Sequence, residues 1–115
     1  MVLFILLVTS IYADSANYNK GEMLYFSKVC NGCHGVDALG GGVYPKLANK
    51  KKKYLKERLY YFKKGKVSTQ NQEMMVQFIL NFSDEDIENI ATFLSEHKKR
   101  ELRNVAEDLF GGYGS

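Results

Sequence analysis

Cys30, Cys33 and His34 stand within five consecutive positions, Cys30-Asn31-Gly32-Cys33-His34, and the chain has no other cysteine. Two thiols three residues apart, followed at once by an imidazole, must be served by whatever fold surrounds them. Four chemistries use such a cluster: a metal clamp, a redox dithiol, a structural disulfide and a covalent cofactor anchor. A structural zinc site needs four ligands, and the only other histidine, His97, sits among Glu96, Lys98 and Lys99, where exposure and irrelevance to any metal are expected. A thioredoxin-like dithiol needs a strand before the motif within a βαβ pattern, and neither is visible. A disulfide across so short a loop restricts little chain entropy, because stabilisation grows with loop length.

The spacing suits c-type haem attachment, Cys-x-x-Cys-His. Two thiolates separated by two residues at a helix end can add to two vinyl groups on one porphyrin edge. The adjoining histidine is then held beneath the ring, where one nitrogen reaches the iron. Covalent attachment keeps the group bound whichever oxidation state the iron takes. It also needs reduced cysteines delivered to an extracytoplasmic assembly system, so export is expected.

The opening stretch agrees with export. "MVLFILLVTSIYADS" carries an apolar run from Val2 to Val8, then small and polar residues up to Ala13. It is too short to span a bilayer and has the shape of a signal peptide over residues 1–13, expected to be cleaved, although no Lys or Arg precedes the run. An uncleaved interfacial anchor and a buried N-terminal element are the alternatives. With 115 residues and a single proline, the remainder has room for one core, expected over 14–100 and enlarged by a buried apolar cofactor. Net charge is +3, short of the concentrated charge of a nucleic-acid binder, and no nucleic-acid motif is present.

Helical periodicity dominates that domain. "NKGEMLYFSKV" reads as a first helix running into the cysteine motif, with Asn19 as N-cap. Residues 35–49 contain Gly40-Gly41-Gly42 and Pro45 and read as a loop. Leu55, Leu59 and Phe62 fall at i, i+4, i+7 in a second amphipathic helix that Gly65 stops. "EMMVQFILNF" is a short buried helix or a strand. Ser83, with Asp86 three residues on, opens a closing helix in which Ile87, Ile90, Ala91 and Leu94 repeat at helical spacing. No β-alternation or internal repeat is visible, so the fold class is all-α, with three to five helices. Residues 101–115 form an extension, expected to be a packed helix, an interaction tail or a disordered end.

These separated motifs together resemble a class I cytochrome c, the small monohaem bacterial type similar to cytochrome c553 or to one half of cytochrome c4. The likeness covers about 19–96. "GEMLYFSKVCNGCHG" resembles the family's first helix, placing Gly21 and Tyr25 where that helix crosses the last one near Phe93. The resemblance implies a single haem c held by Cys30 and Cys33, with His34 as one axial ligand. A methionine shortly before the Ser-Asp motif is implied as the second ligand; alignment on Ser83 favours Met75 over its neighbour Met74, while Met23 is expected to pack. It further implies that the Pro45 carbonyl accepts the His34 ring N–H turned away from iron. Leu47, Leu55, Leu59 and Phe62 are candidates for the haem pocket or for plain core, and Tyr44 is undecided between the two.

The function so implied is a periplasmic monomer carrying single electrons, with no bond-making on a substrate. Its donor would be a quinol-oxidising complex or dehydrogenase, its acceptor a terminal oxidase, reductase or peroxidase, and it would meet a membrane only through those partners or an uncleaved N-terminus. Lysines 50–53, continued by Lys56, Arg58, Lys63, Lys64 and Lys66, are either a solvated helix face or a docking collar for an acidic partner. Three alternatives remain open from the sequence. One is a haem c subunit of a larger oxidase or dehydrogenase; another is a five-coordinate haem sensor or enzyme lacking a methionine ligand; the third is a haem-free protein with a Cys30–Cys33 disulfide.

Overall fold

A computed structural model describes residues 16–97. The expected signal peptide and C-terminal extension lie outside the described residues. Five helices are described: α1 over 16–27, then α2 Asn31–His34, α3 Lys52–Lys63, α4 Gln70–Ile79 and α5 Asp84–Ser95. Among the described residues no strand forms, only an isolated bridge between Gly41 and Tyr44. The all-α expectation holds.

The last helix is the centre of the fold. Ser83 caps α5 through a reciprocal pair of bonds, its hydroxyl accepting the Asp86 N–H and its own N–H donating to the Asp86 carboxylate, each at 3.0 Å. Asp therefore fills the place that Glu or Gln usually takes in this capping arrangement. From Ile87 onward the helix is covered almost all round: Asn89, Ile90, Ala91, Thr92, Phe93 and Leu94 are all buried. A helix so enclosed is a core helix, and α1 and α3 supply its cover.

Helix α1 crosses α5 at Gly21. A Cβ there would overlap the Asn89 carbonyl oxygen and stand 2.7 Å from Phe93 Cβ, so only glycine lets the two backbones come this close. One turn later Tyr25 is fully buried, its ring centroid 5.5 Å from that of Phe93. One turn earlier Tyr18 meets Phe93 edge-on at 5.2 Å. This stripe begins before Asn19, and its burial carries the helix past the expected cap. Asn19 is an exposed interior residue of α1 rather than its N-cap. Met23, expected to pack, is 72% exposed, because it falls on the opposite side of α1 from Tyr18, Gly21 and Tyr25.

Helix α3 packs against both α5 and α4. Its Leu55 and Phe62 are buried and Leu59 leans on the same cluster, as the i, i+4, i+7 spacing requires. Gly65, at φ +78°, ends it in the left-handed conformation, with the Lys66 N–H bonded back to the Tyr61 carbonyl at 3.2 Å. The ambiguous run "EMMVQFILNF" contributes to a helix, α4, which starts earlier than the apolar residues do. Ile79 is buried, Met75 and Val76 lean on the core, and Met74 and Phe78 are exposed. Inward positions three and four apart are helical, and Gln72 supports the entry by accepting the Ser68 N–H at 2.8 Å.

Candidate haem site

The cysteine motif begins where α1 is forced to stop. The Cys30 N–H bonds to the Tyr25 carbonyl at 3.0 Å and the Val29 N–H to that of Phe26 at 3.1 Å, a turn closed by Val29 at φ +62°. A β-branched residue in the left-handed region is strained. The reversal delivers Cys30 directly to the N-cap of α2, whose single turn then carries Cys33 and His34. The two sulfurs thus sit one helical turn apart, both half-buried and both free. Burial pushes the Cys30 thiol up to about 11, so it is protonated near neutral pH.

His34 is held from several sides and is only 5% exposed. Gly35, at φ +91°, turns the chain out of α2. The loop then folds back: the Gly40 N–H bonds to the His34 carbonyl at 2.8 Å, and Gly41 and Tyr44 exchange two backbone bonds of 2.8 and 3.1 Å. At Gly40, with φ +68°, a Cβ would collide with the Tyr44 carbonyl and stand 2.6 Å from the Pro45 carbonyl carbon. Glycine there lets the loop close tightly enough to bring the Pro45 oxygen within 3.0 Å of His34 Nδ1. A carbonyl can only accept, so Nδ1 carries the proton and the lone pair lies on Nε2. Among the described residues Nε2 has no hydrogen-bond partner.

Of the two adjacent methionines, Met75 leans on the core cluster while Met74 is 60% exposed. Leu55 and Phe62 are buried, and Leu47 and Leu59 are partly so. Tyr44 is 44% exposed with its ring edge towards His34 at 6.4 Å. In the loop, Val36, Leu39 and Val43 are each more than half exposed. These residues fit a haem: two reduced thiols at the right spacing, an imidazole with its tautomer fixed and Nε2 unpaired, and apolar side chains that the polypeptide leaves open. For the zinc reading, the described residues offer no group of three His, Cys, Asp or Glu able to hold a metal.

A family model for cytochrome c matches residues 18–98. This chain belongs to the cytochrome c family. It is 30% identical over 86 residues to cytochrome c-554(547) of Halothiobacillus neapolitanus, covering 68% of this chain and 93% of that one. Against cytochrome c-554(548) of Halomonas halodenitrificans the identity is 31% over 70 residues, with 60% of this chain and 84% of the other covered. Against cytochrome c4 of Pseudomonas aeruginosa it is 32% over 71 residues, 61% of this chain but only 34% of that longer protein. As a small class I cytochrome c, the protein carries covalently attached haem c and transfers electrons by means of it.

A third residue of this cytochrome c, after Asn19 and Met23, departs from expectation. His97, expected to be exposed, has a side chain only 3% accessible. Its ring stands edge-on to Phe93 at 5.3 Å. Among the described residues neither ring nitrogen has a hydrogen-bond partner, and the Asp37 carboxylate oxygen Oδ1 lies 3.5 Å from Nε2. The charged neighbours in sequence hid the signal, which was positional: His97 lies four residues beyond Phe93, two past the end of α5, where the chain still holds its ring against Phe93.

Proposed function

We propose that this cytochrome c is a single-haem electron carrier in which Cys30 and Cys33 hold the haem and His34 and Met75 ligate its iron. Bound in this way, haem supplies a one-electron Fe(II)/Fe(III) couple. The observation that carries the assignment is the hydrogen bond from His34 Nδ1 to Pro45 at 3.0 Å. It fixes the tautomer and rotation of the ring and leaves Nε2 free for iron. Met75 is preferred over Met74 because a ligand must point inward, and only Met75 of the pair leans on the core. A neutral thioether opposite imidazole gives a relatively high potential, suited to accepting electrons from a dehydrogenase or quinol-oxidising donor.

The same reading places the protein outside the cytoplasm, in the periplasm of a bacterium, where the attachment chemistry and a cleaved leader would belong. Among the described residues no helix is long and apolar enough to cross a membrane. Its partners would be acidic redox proteins, and the geometry narrows the basic surface that could meet them. Lys52 and Lys56 both pair with Glu88, at 2.5 and 2.7 Å, and Lys63 approaches Asp84 at 3.6 Å. These three charges are partly neutralised within the protein. Lys50, Lys51, Lys53, Lys64 and Lys66 have no ion pair among the described residues, so they would carry the docking role. Rates with the physiological partner should then fall as ionic strength rises.

The deciding experiment is a spectrum. Produced in a host that matures c-type cytochromes, the protein should retain haem after denaturation and show, when ferric, the weak red band of methionine sulfur on iron. Met75→Ala should abolish that band and Met74→Ala should keep it. The reverse result would transfer the ligand to Met74. A wild-type protein that lacks the band and readily binds carbon monoxide would make it a five-coordinate haem protein, not this carrier.

A further inference from the structure

Tyr25 touches both ends of the attachment segment. Its backbone carbonyl accepts the Cys30 N–H at 3.0 Å, and its phenol donates to the Gly35 carbonyl at 2.5 Å. Between those two bonds lie Cys30, Cys33 and His34. The ring that carries the phenol is immobilised: it is fully buried, edge-on to Phe26 at 5.2 Å and tilted against Phe93 at 5.5 Å. A phenylalanine would make the same ring contacts. The hydroxyl therefore does something that packing does not require, and a buried hydroxyl is costly unless it is bonded.

The acceptor matters as much as the donor. The Gly35 carbonyl also accepts the Ala38 N–H at 3.2 Å, which starts the loop that returns Pro45 to His34. The peptide that follows the imidazole and the loop that supplies its hydrogen-bond acceptor are thus fastened at one oxygen. We propose that Tyr25 is a positioning residue for the haem ligand: its hydroxyl, by fixing the Gly35 carbonyl, sets the hydrogen bond between His34 Nδ1 and Pro45 and through it the ferrous/ferric equilibrium. The inference rests on ligation by His34. Burial above all holds the phenol protonated well above neutral pH, so the donor is present near neutrality.

The direction follows from the chemistry of the ring. A firm Nδ1–H···O bond raises the electron donation of imidazole to iron and favours the ferric state. Releasing the Gly35 carbonyl loosens that bond and favours the ferrous state. Tyr25→Phe should therefore raise the reduction potential. The ferrous/ferric ratio at fixed potential should change by roughly fivefold, the equivalent of one neutral hydrogen bond. By NMR, the His34 ring N–H should exchange with solvent several-fold faster than in the wild type.

Ile87→Val is the control for stability loss. Ile87 is a fully buried residue of α5, and its truncation should cost stability without moving either readout. Equal shifts in Tyr25→Phe and Ile87→Val, or no shift in Tyr25→Phe, overturn the proposal. Should Tyr25→Phe fail to mature, the wild type still decides: a slowly exchanging phenolic proton with a cross-peak to the Gly35–Val36 segment supports the clamp, and a rapidly exchanging one overturns it. Wild-type protein without haem, or without His34 on iron, sinks the ligation reading together with the clamp. Normal wild-type ligation with an unresponsive Tyr25→Phe sinks the clamp alone.

Discussion

Gly21→Ala tests whether the crossing of α1 and α5 is the joint on which the fold depends. In an ordinary helix interior this substitution stabilises, by about 1 kcal/mol, because alanine loses less backbone entropy than glycine. Here the new methyl would overlap the Asn89 carbonyl oxygen, stand 2.6 Å from its carbon and 2.7 Å from Phe93 Cβ. Non-bonded carbons sit comfortably at about 3.5–4.0 Å, so the helices must separate by roughly an ångström. The obstacle is backbone of a central helix and cannot rotate aside. Overpacking of this kind costs about 1–3 kcal/mol, and the rigid obstacle argues for the upper end. Separation also loosens the rings of Tyr18 and Tyr25 against Phe93, all of which meet beside the joint. With the propensity gain subtracted, the net loss is about 2 kcal/mol, and for a domain this small that lowers Tm by about 10 °C. Thermal unfolding of the haem-bearing protein, followed by far-ultraviolet circular dichroism, measures it. An unchanged or raised Tm would refute the close crossing.

Val29→Gly should stabilise the protein by about 1 kcal/mol in denaturant titration, because glycine adopts the left-handed conformation at φ +62° without the clash of a β-branched side chain. His97→Leu should leave stability unchanged or raise it by about 1 kcal/mol, since it removes a buried ring whose two nitrogens make no hydrogen bond among the described residues, in favour of an apolar side chain against Phe93. A loss of more than about 2 kcal/mol would mean that the imidazole makes a stabilising contact with Asp37. Hydrogen bonds from Lys52 and then Lys56 hold the Glu88 carboxyl below the usual carboxylate range. Its stabilising contribution is therefore present above the unfolded pKa of about 4.3 and lost as pH falls through the lower folded value. The pair is more than a third exposed, so the contribution is less than about 1 kcal/mol. Glu88→Gln should erase that part of the acid limb and lose its difference from wild type in strong acid.

The parts of this fold legible in the sequence are those fixed by local rules. Ser83 and Asp86 announce α5, Leu55, Leu59 and Phe62 announce the inner face of α3, and Gly65 marks where α3 stops. The pentapeptide 30–34, proposed to carry the haem, is legible because its spacing is itself the chemistry. What depended on tertiary contact was not visible. Asn19 looks like a cap, yet Tyr18 finds Phe93 and the helix continues through it. Met23 looks like packing, yet its side of α1 faces away from Phe93. His97 looks exposed because its neighbours are charged, although the chain leaving α5 places its ring beside Phe93. The Tyr25 hydroxyl bond spans ten residues and depends on the reversal at Val29, which nothing in a valine foretells.

The two proposed ligands arrive on elements of unequal firmness, and this difference has a measurable consequence. His34 is fastened through its ring, its carbonyl and the turn on either side of it. Met75 rides on α4, whose N-cap Thr69 makes no side-chain bond and whose only fully buried residue is Ile79. Of the helices from α2 onward, α3 is its principal neighbour. An element with so few anchors opens at low free energy. If Met75 binds iron, that bond ties α4 directly to the side of the fold that carries His34, and it stabilises α4 far more than it stabilises α5. Amide hydrogen exchange on the haem-bearing protein should then show that Met75→Ala accelerates exchange across 70–79 by about tenfold or more, equivalent to about 1.4 kcal/mol of local stability. The amides of α5 should change little, and Met74→Ala should change neither. Unchanged exchange across 70–79 would show that α4 is held by packing alone, and equal acceleration over both helices would show that α4 does not open separately from α5.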